Sequence, residues 1–187
     1  RNNIKKLLLK KLNISSNKII LISLFPYYEH ELISKENSFR LIRELAEILE
    51  KLPAAVLISL HPKMKKEEYN FLIEEYNLII VDEKLSKILP IADIFISTFS
   101  STVLWSILSN VTVTIIDVAK LNYKMFNWIE NLRVFNSFLQ LENEIMHLLD
   151  DEEYANKVCV KQSSHKKYIL DNFDGKCVEK IIREIQL

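Results

Sequence analysis

The chain has 187 residues, of which 49% are hydrophobic, and its 25 basic and 25 acidic residues cancel to a formal net charge of zero. This length is typical of one domain with a substantial core. The balanced charge excludes a broad positive field of the kind that attracts nucleic acid or anionic lipid, so a bound anion has to be held by local groups.

The sequence also predicts a protein without a transmembrane segment. Its longest apolar runs, Ile19 to Phe25 and Ala54 to Leu60, are much shorter than the roughly 20 residues that cross a bilayer. No secretion signal opens the chain, so we expect a cytoplasmic protein, with the inner face of the membrane as a peripheral alternative. The first residue, Arg1, indicates a fragment or a processed start. Cys159 and Cys177 lack the spacing of zinc ligands or of a redox pair, which fits free thiols.

The scarcity of glycine limits the phosphate-binding motifs that the chain can contain. Gly175 is its single glycine. The dinucleotide fingerprint requires three glycines after a strand and the Walker phosphate loop requires two, so both motifs are excluded. A phosphate site would instead use hydroxyl groups and the free amides at the start of a helix.

In chain order, a helix comes first, and strands and helices then alternate. Asn3 to Leu12 predicts a helix capped by Asn3, and Asn13 to Asn17 predicts a polar linker. We therefore expect a leading segment at 1–17 and one domain at 18–187. Apolar runs of strand length follow at Lys18–Leu24, Ala54–Leu60, Leu78–Val81, Ile94–Thr98 and Thr112–Ile116.

Helical patterns separate these strands. Between the first two strands, apolar residues recur at helical spacing after Asn37 or Ser38, either of which is expected to cap the helix, and Pro53 ends it. Further helical segments are predicted at Lys66–Tyr76, Leu85–Leu89, Ser101–Ser109, Leu141–Leu149, Asp151–Val160 and Gly175–Ile185. The alternation predicts an α/β fold with a doubly wound, mainly parallel, Rossmann-like sheet that carries helices on both faces.

In an open sheet of this kind, ligands bind beyond the carboxyl ends of the strands. Four segments follow the predicted strands at this edge: Pro26–His30, His61–Lys63, Thr98–Thr102 and Asp117. The third is the most informative, because its hydroxyl side chains lead directly from a strand into a helical pattern. We expect Ser100 or Ser101 to cap that helix and to offer hydroxyls and amides to a phosphate. A purely structural serine cap is the alternative.

His61 follows the second predicted strand, and Pro62 fixes the direction of the outgoing chain. An imidazole at this edge can donate to phosphate or ribose oxygens, and it gains charge when an anion raises its pKa. The competing interpretation is a structural histidine. Lys63, beside it, is interpreted as a solvated surface charge.

Three stretches of the sequence, taken in order, resemble the C-terminal lobe of GT-B enzymes: Leu57–Lys63, Ala92–Thr102 and Val111–Ile116. The families that they resemble are bacterial sialyltransferases with HP and SS motifs, CDP-glycerol transferases and UDP-N-acetylglucosamine 2-epimerases. Asp174–Ile181 is similar to the DGKA-type helix start of several of these families. The resemblance extends over residues 18–185.

The resemblance implies the nucleotide-sugar-binding C-terminal domain of a glycosyltransferase that makes a bacterial surface glycan. The donor would be a CMP-, UDP- or CDP-linked sugar, and the acceptor a glycan or a lipid-linked molecule. The catalytic base would come from an N-terminal lobe, so no catalytic residue is assigned and activity of this chain alone is not expected.

The resemblance also implies which residues contact the ligand. The phosphates would contact His61, Pro62, Ser100, Ser101 and Thr102, and the candidate donor or acceptor contacts are Glu29, His30 and Thr98. We expect no metal and no cofactor, because hydroxyls, amides and His61 take the place of a cation at the phosphates.

Two departures from these families keep other functions open. The helix after the serine pair lacks a ribose-binding glutamate, since its residues are Val103, Leu104, Trp105 and Ser106. The basic loop that epimerases carry after the first strand is replaced by Tyr27–His30. An epimerase-like lobe acting on a UDP-sugar is therefore the second hypothesis. A non-catalytic binding module with the same fold is the third.

The remaining polar and aromatic clusters favour structural roles. Asp93 is interpreted as a turn residue and Asp117 as a strand-end cap. The acidic run Asp150–Glu153 is interpreted as solvated charge at a helix start. Tyr123, Phe126 and Trp128 are expected to pack in the core or between lobes.

Overall fold

A computed structural model describes residues 2–12, 14, 16 and 18–172. Within this part of the chain, parallel strands form a single sheet in the order β3-β2-β1-β4-β5-β6. The strands are β1 Ile19–Ser23, β2 Ala55–Ser59, β3 Ile79–Ile80, β4 Ile94–Ser97, β5 Thr112–Ile116 and β6 Val134–Phe135. The prediction of a doubly wound parallel sheet is confirmed.

Helices connect the strands and flank the sheet. They are α1 Asn2–Lys11, α2 Lys35–Leu49, α3 Phe71–Glu74, α4 Leu85–Ile88, α5 Thr102–Leu108, α6 Phe138–Asp150, α7 Glu152–Ser163 and α8 Lys166–Asn172. Short 3-10 turns at Lys66–Tyr69 and Leu89–Ile91 complete the second and third connections. None of the helices in residues 2–172 that the structure describes has the length and apolar character needed to cross a bilayer.

Each face of the sheet carries its own apolar core, because successive side chains of a strand point to opposite faces. Ile20 and Ile22 of β1 pack in one core with buried residues of α2 and α6. Ile19 and Leu21 pack in the other core with buried residues of α5 and the second 3-10 turn. This arrangement explains why the strands read as continuous apolar runs.

The structure corrects the predicted start of α2. The helix begins at Lys35 after Ser34, whose side chain accepts a hydrogen bond from the Asn37 amide. Ser38, one of the two predicted caps, lies inside the helix and is buried. The apolar periodicity located the helix but not its first turn, which carries no apolar residue. In the same way, α1 begins at Asn2, so Asn3 lies within the helix rather than capping it.

This correction gives a stability prediction. Ser34→Ala is expected to lower the free energy of unfolding by about 1 kcal/mol, because it removes the acceptor for one of the first amides of α2. Asn37→Ala is the control, since its exposed side chain is not the cap, and a change within about 0.5 kcal/mol is expected. Urea denaturation of both variants checks the prediction. Equal losses in the two variants would contradict it.

The strand β6 was not predicted from the sequence, because it has only two residues and is partly exposed. Because β6 pairs only with Ile115 and Ile116, the preceding part of β5 lacks a strand on that side. The Gln162 side chain of α7 fills the gap: its Oε1 accepts from the Val113 amide at 2.9 Å and its Nε2 donates to the Val113 carbonyl at 2.7 Å. Gln162 is 1% exposed, so an amide side chain completes the edge of the sheet from within the core.

Some predictions fall outside the described residues. The expected helix at Gly175–Ile185, the stretch Asp174–Ile181 and Cys177 all lie there. Cys159 is a free, half-buried thiol on α7.

Candidate functional site

The candidate site lies at the carboxyl ends of three neighbouring strands. β1 lies between β2 and β4, and the strands end level, since Ser23 pairs with Ser59 and Ile22 pairs with Ile96. The segments that follow them, 25–31, 61–64 and 98–102, therefore leave the sheet at one edge. Adjacent strands are about 4.8 Å apart, so the turns after β2 and β4 are separated by about 10 Å. The connections reverse direction between β1 and β4, where sheets of this order bind ligands.

The turn between β4 and α5 presents three hydroxyl side chains. The Ser100 Oγ accepts from the Thr102 amide at 3.3 Å and from the Thr102 Oγ1 at 3.0 Å. Ser101 occupies the residue before the helix, is exposed, and makes no capping hydrogen bond. Of the two predicted caps, Ser100 organises the turn, whereas Ser101 holds the cap position without a capping hydrogen bond. Thr98 is buried below them.

The turn after β2 orients the imidazole of His61. The Met64 amide donates to the His61 carbonyl at 2.8 Å, and Pro62 stands second in this four-residue turn, where its fixed φ is favourable. The Lys63 amide donates to Nδ1 of His61 at 3.2 Å. With Nδ1 as an acceptor, the proton of the neutral ring is on Nε2, which is left as the donor. Burial, and then the charges of His30 and Lys63, lower the pKa of His61 from its ordinary value.

The loop after β1 is held against the 3-10 turn Lys66–Tyr69. The Tyr28 hydroxyl donates to Glu68 at 2.5 Å, and the Tyr69 hydroxyl donates to Oε1 of Glu29 at 2.7 Å. The second carboxylate oxygen of Glu29 is buried without a hydrogen-bond partner in the described part of the chain. These contacts join residues about 40 positions apart, and the sequence pattern did not reveal them.

This loop carries His30 to His61. The ring centroids of the two histidines are 5.5 Å apart, and the rings are nearly perpendicular at 88°. The His30 amide donates to the Pro26 carbonyl at 3.0 Å, which fixes the backbone of an otherwise exposed residue. The site residues predicted from sequence therefore form two clusters, Glu29 with His30 and His61, and Ser100 with Ser101 and Thr102. The width of β1 separates the clusters.

The loop after β5 borders the same edge. Both carboxylate oxygens of Asp117 accept hydrogen bonds, from the amides of Leu121 and Asn122 at 2.8 Å, which confirms the strand-end cap. Burial and the nearby Asp117 raise the pKa of Tyr27 well above its usual range. Tyr27 and Val118 line the same small cavity, so the loops after β1 and β5 lie close together. Tyr123 packs edge-on against Phe99, with ring centroids 5.0 Å apart.

The aromatic residues of this region divide between core and surface. Phe126 is 5% exposed and belongs to a core, whereas Tyr123 and Trp128 are 46% and 41% exposed. Of the two expected positions, Phe126 takes the core. Packing against a second lobe stays a prediction for the exposed Tyr123 and Trp128. Trp128 packs against Tyr168 of α8, with ring centroids 5.0 Å apart.

The acidic candidates have structural roles. The carboxylate of Asp93 accepts from the Ile19 amide at 2.8 Å and joins the turn before β4 to the start of β1. Asp151 caps α7 through the Tyr154 amide at 2.9 Å. Across residues 2–172 as described, no group of three or more histidine, cysteine, aspartate or glutamate side chains is arranged to hold a metal ion.

The cavity beneath this edge of the sheet is too small to enclose a nucleotide. This cavity lies at the ends of β1, β4 and β5, is lined mainly by apolar side chains such as Leu24, Tyr27 and Phe138, and has a volume of about 20 Å³. That is room for one water molecule. The buried Ser97 hydroxyl, which lines it, has no hydrogen-bond partner in the part of the chain described. A nucleotide at this edge would therefore lie on the open surface above the strands.

Comparison with known proteins identifies the fold. No model of a known protein family matches the sequence, and none of the curated proteins compared with it is similar. Among solved structures, the chain matches the wall teichoic acid polymerase TagF with a TM-score of 0.58 and 16% identity over 98% of this chain and 48% of that one. A TagF variant soaked with CDPG matches with a TM-score of 0.57 and 16% identity, over 99% of this chain and 47% of that one.

A second match is to a single isolated domain, and it covers nearly the whole of that domain. The C-terminal CMP-Kdo binding domain of WaaA from Acinetobacter baumannii aligns with a TM-score of 0.55 and 9% identity, over 88% of this chain and 98% of that one. The chain spans about half the length of the TagF chains that it matches. Its fold is therefore that of the C-terminal lobe of a GT-B enzyme.

Proposed function

We propose that this chain binds a nucleotide-linked sugar through its phosphates, as the C-terminal lobe of a glycosyltransferase that makes a bacterial surface glycan. One observation carries the proposal: the His61 turn and the Ser100–Thr102 turn lie at level strand ends on either side of β1. The similarity to the CMP-Kdo binding domain of WaaA and to TagF soaked with CDPG supports it. The proposal treats residues 18–187 as one domain after a leading segment at 1–17.

The chemistry expected of these residues is stabilisation of a leaving group. When the bond between the sugar and the phosphate breaks, negative charge develops on the phosphate oxygen, and hydrogen-bond donors held in position offset that charge. Nε2 of His61 and the hydroxyls of Ser100 and Ser101 are the donors, and Thr102 orients Ser100 by donating its own hydroxyl to Ser100 Oγ. Glu29, His30 and Thr98 remain candidates for contact with the sugar or the acceptor.

The rest of the reaction is assigned to parts that this chain does not supply. The proposal places the catalytic base and much of the acceptor site on an N-terminal lobe, because the chain spans about half of TagF. The open edge agrees with this division, since closing a second lobe over it would exclude water from the phosphates. A cytoplasmic location remains a prediction.

The two alternatives have specific weaknesses. An epimerase-like lobe would need a ribose contact from α5, but Val103 and Ser106 are buried and Trp105 is exposed, and none of them is a carboxylate. A non-catalytic module remains compatible with the fold, and it differs from the proposed function in a measurable way: it would not bind nucleotides at this edge.

A panel of CMP, CDP, UDP, GDP and their sugar conjugates in a thermal-shift assay tests the proposed function. At least one pyrimidine nucleotide is expected to stabilise the protein, by about 2.7 kcal/mol when present at 100 times its dissociation constant. We expect the stabilisation to persist in EDTA, because hydroxyls and His61 occupy the place of a cation.

AMP and ADP serve as controls for non-specific anion binding, because they carry the same charge as the pyrimidine nucleotides. Equal stabilisation by all of them would reduce the proposal to a general anion site. No stabilisation by any nucleotide would favour the non-catalytic module, and loss of binding in EDTA would reveal a metal-dependent site.

A further inference from the structure

His30 and His61 stand face to edge at the carboxyl ends of the strands, but their surroundings differ. His61 accepts the Lys63 amide on Nδ1 at 3.2 Å. Placing a second proton on that ring would direct an N–H group at the Lys63 N–H group and break the hydrogen bond. Burial and the neighbouring His30 and Lys63 also lower the pKa of His61, with Glu29 acting weakly in the opposite direction. Both effects favour the neutral form of His61, with its proton on Nε2, where it can be donated.

His30 has the opposite environment. Its side chain is exposed, and it contacts Phe25, with ring centroids 5.7 Å apart, and His61. The charged and titratable groups that act on His61 are His30 and Glu29 from the loop after β1 and Lys63 from the turn after β2. Two imidazolium ions 5.5 Å apart repel each other, so one added proton is accommodated more easily than two. Of the two rings, His30 is the exposed one.

We propose that the two histidines bind a phosphate together in different protonation states, an arrangement called here a divided clamp. Neutral His61 donates from Nε2, and His30 takes up one proton as the anion binds. The inference rests on the proposed function, because it names how that site recognises a phosphate. The loop that carries His30 is held in advance by the Tyr69–Glu29 and Tyr28–Glu68 hydrogen bonds. Little ordering is then needed when the ligand enters.

The linkage has a definite sign. Binding accompanied by uptake of one proton strengthens as the pH falls, by about tenfold per pH unit between the titration midpoints of His30 with and without ligand. A clamp made of two permanently neutral rings would show no such dependence. A clamp in which both rings become charged would show a steeper one.

Histidine NMR resolves the two rings directly. The chain has four histidines, so each ring can be assigned with a single His→Asn variant. The protein is titrated between about pH 5.5 and 8.5, where imidazole changes charge, in sodium sulfate and in sodium chloride at equal ionic strength. Sulfate is the probe because it is a tetrahedral dianion that does not itself titrate in this range.

The expected result is an increase of about one pH unit in the titration midpoint of His30 in sulfate, while His61 keeps the nitrogen shifts of a neutral ring protonated on Nε2. His147 on α6 and His165 after α7 are the internal controls. His165 is informative because its Nε2 accepts from the Glu130 amide at 2.8 Å, so its neutral ring has the opposite tautomer. If His30 moves no more than the controls, or if His61 titrates upward together with His30, the clamp is overturned.

A second arm uses CDP-glycerol, whose phosphates are esterified and do not titrate near neutral pH. Calorimetry in buffers of different ionisation enthalpy is expected to show uptake of about half a proton by the wild type at a pH halfway between the two midpoints, as a shift of about one pH unit requires. Little uptake is expected from His30→Asn, and retained uptake from His61→Asn. Binding of CDP-glycerol without proton uptake would overturn the clamp and leave the proposed function standing. A sulfate-induced shift of His30 in a protein that binds no nucleotide would uphold the clamp as an anion site and overturn the proposed function.

Discussion

Replacing Gln162 by methionine is expected to lower the free energy of unfolding by about 2–6 kcal/mol, because it leaves two buried backbone groups without partners at about 1–3 kcal/mol each. Those groups are the amide and the carbonyl of Val113, which face the gap in the sheet beside the short β6. The Gln162 amide also donates to the Asn131 carbonyl at 3.1 Å. Methionine has a similar length and fills the space, so the loss of polar contacts is separated from the loss of volume.

Gln140→Met on α6 is the matched control, since Gln140 is exposed and the chemical change is the same. Urea denaturation compares the two variants, and the control is expected to change by less than about 0.5 kcal/mol. If Gln162→Met fails to fold, hydrogen exchange of the Val113 amide in the wild type still tests the argument, because exchange should require global unfolding. Similar losses in both variants, or a rapidly exchanging Val113 amide, would refute it.

His61→Ala and Ser101→Ala are each expected to weaken nucleotide binding by about tenfold to a hundredfold while leaving the fold intact. Each variant removes a hydrogen bond to a charged phosphate, which costs roughly 1.5–3 kcal/mol. Ser101 makes no capping hydrogen bond and is exposed, so its loss should leave the unfolding midpoint almost unchanged. The measurements are calorimetric affinity for the best nucleotide of the panel and urea denaturation of the same samples.

Neighbouring residues provide the controls. Ser100→Ala removes the acceptor used by the Thr102 amide and hydroxyl, so it should lower stability by about 1 kcal/mol as well as affinity. His147→Ala and Ser86→Ala change the same residue types at exposed positions of other helices and should leave affinity unchanged. If His61→Ala and Ser101→Ala lower stability but not affinity, the two turns are only scaffold and the non-catalytic module becomes the better account.

Local patterns in the sequence predicted much of this fold. The strands were visible because a parallel sheet covered on both faces requires runs of apolar and β-branched residues, as at residues 19–22 and Thr112–Ile116. The candidate edge was predictable as well, because residues that directly follow parallel strands must emerge on one side. His61 and Ser100 could therefore be assigned to the same edge without knowledge of the strand order.

The sequence by itself determined the first five strands, the edge at which the turns emerge, and the absence of glycine-rich phosphate loops. Tertiary structure alone decided the rest. The meeting of His30 with His61, the hydrogen bond from Tyr69 to Glu29 and the amide of Gln162 beside Val113 join residues 31, 40 and 49 positions apart. Hydrophobic periodicity reports which face of an element is buried, but polar contacts between distant loops depend on how whole elements pack. For this reason the short β6, and the difference between the exposed His30 and the partly buried His61, became visible only in the folded chain.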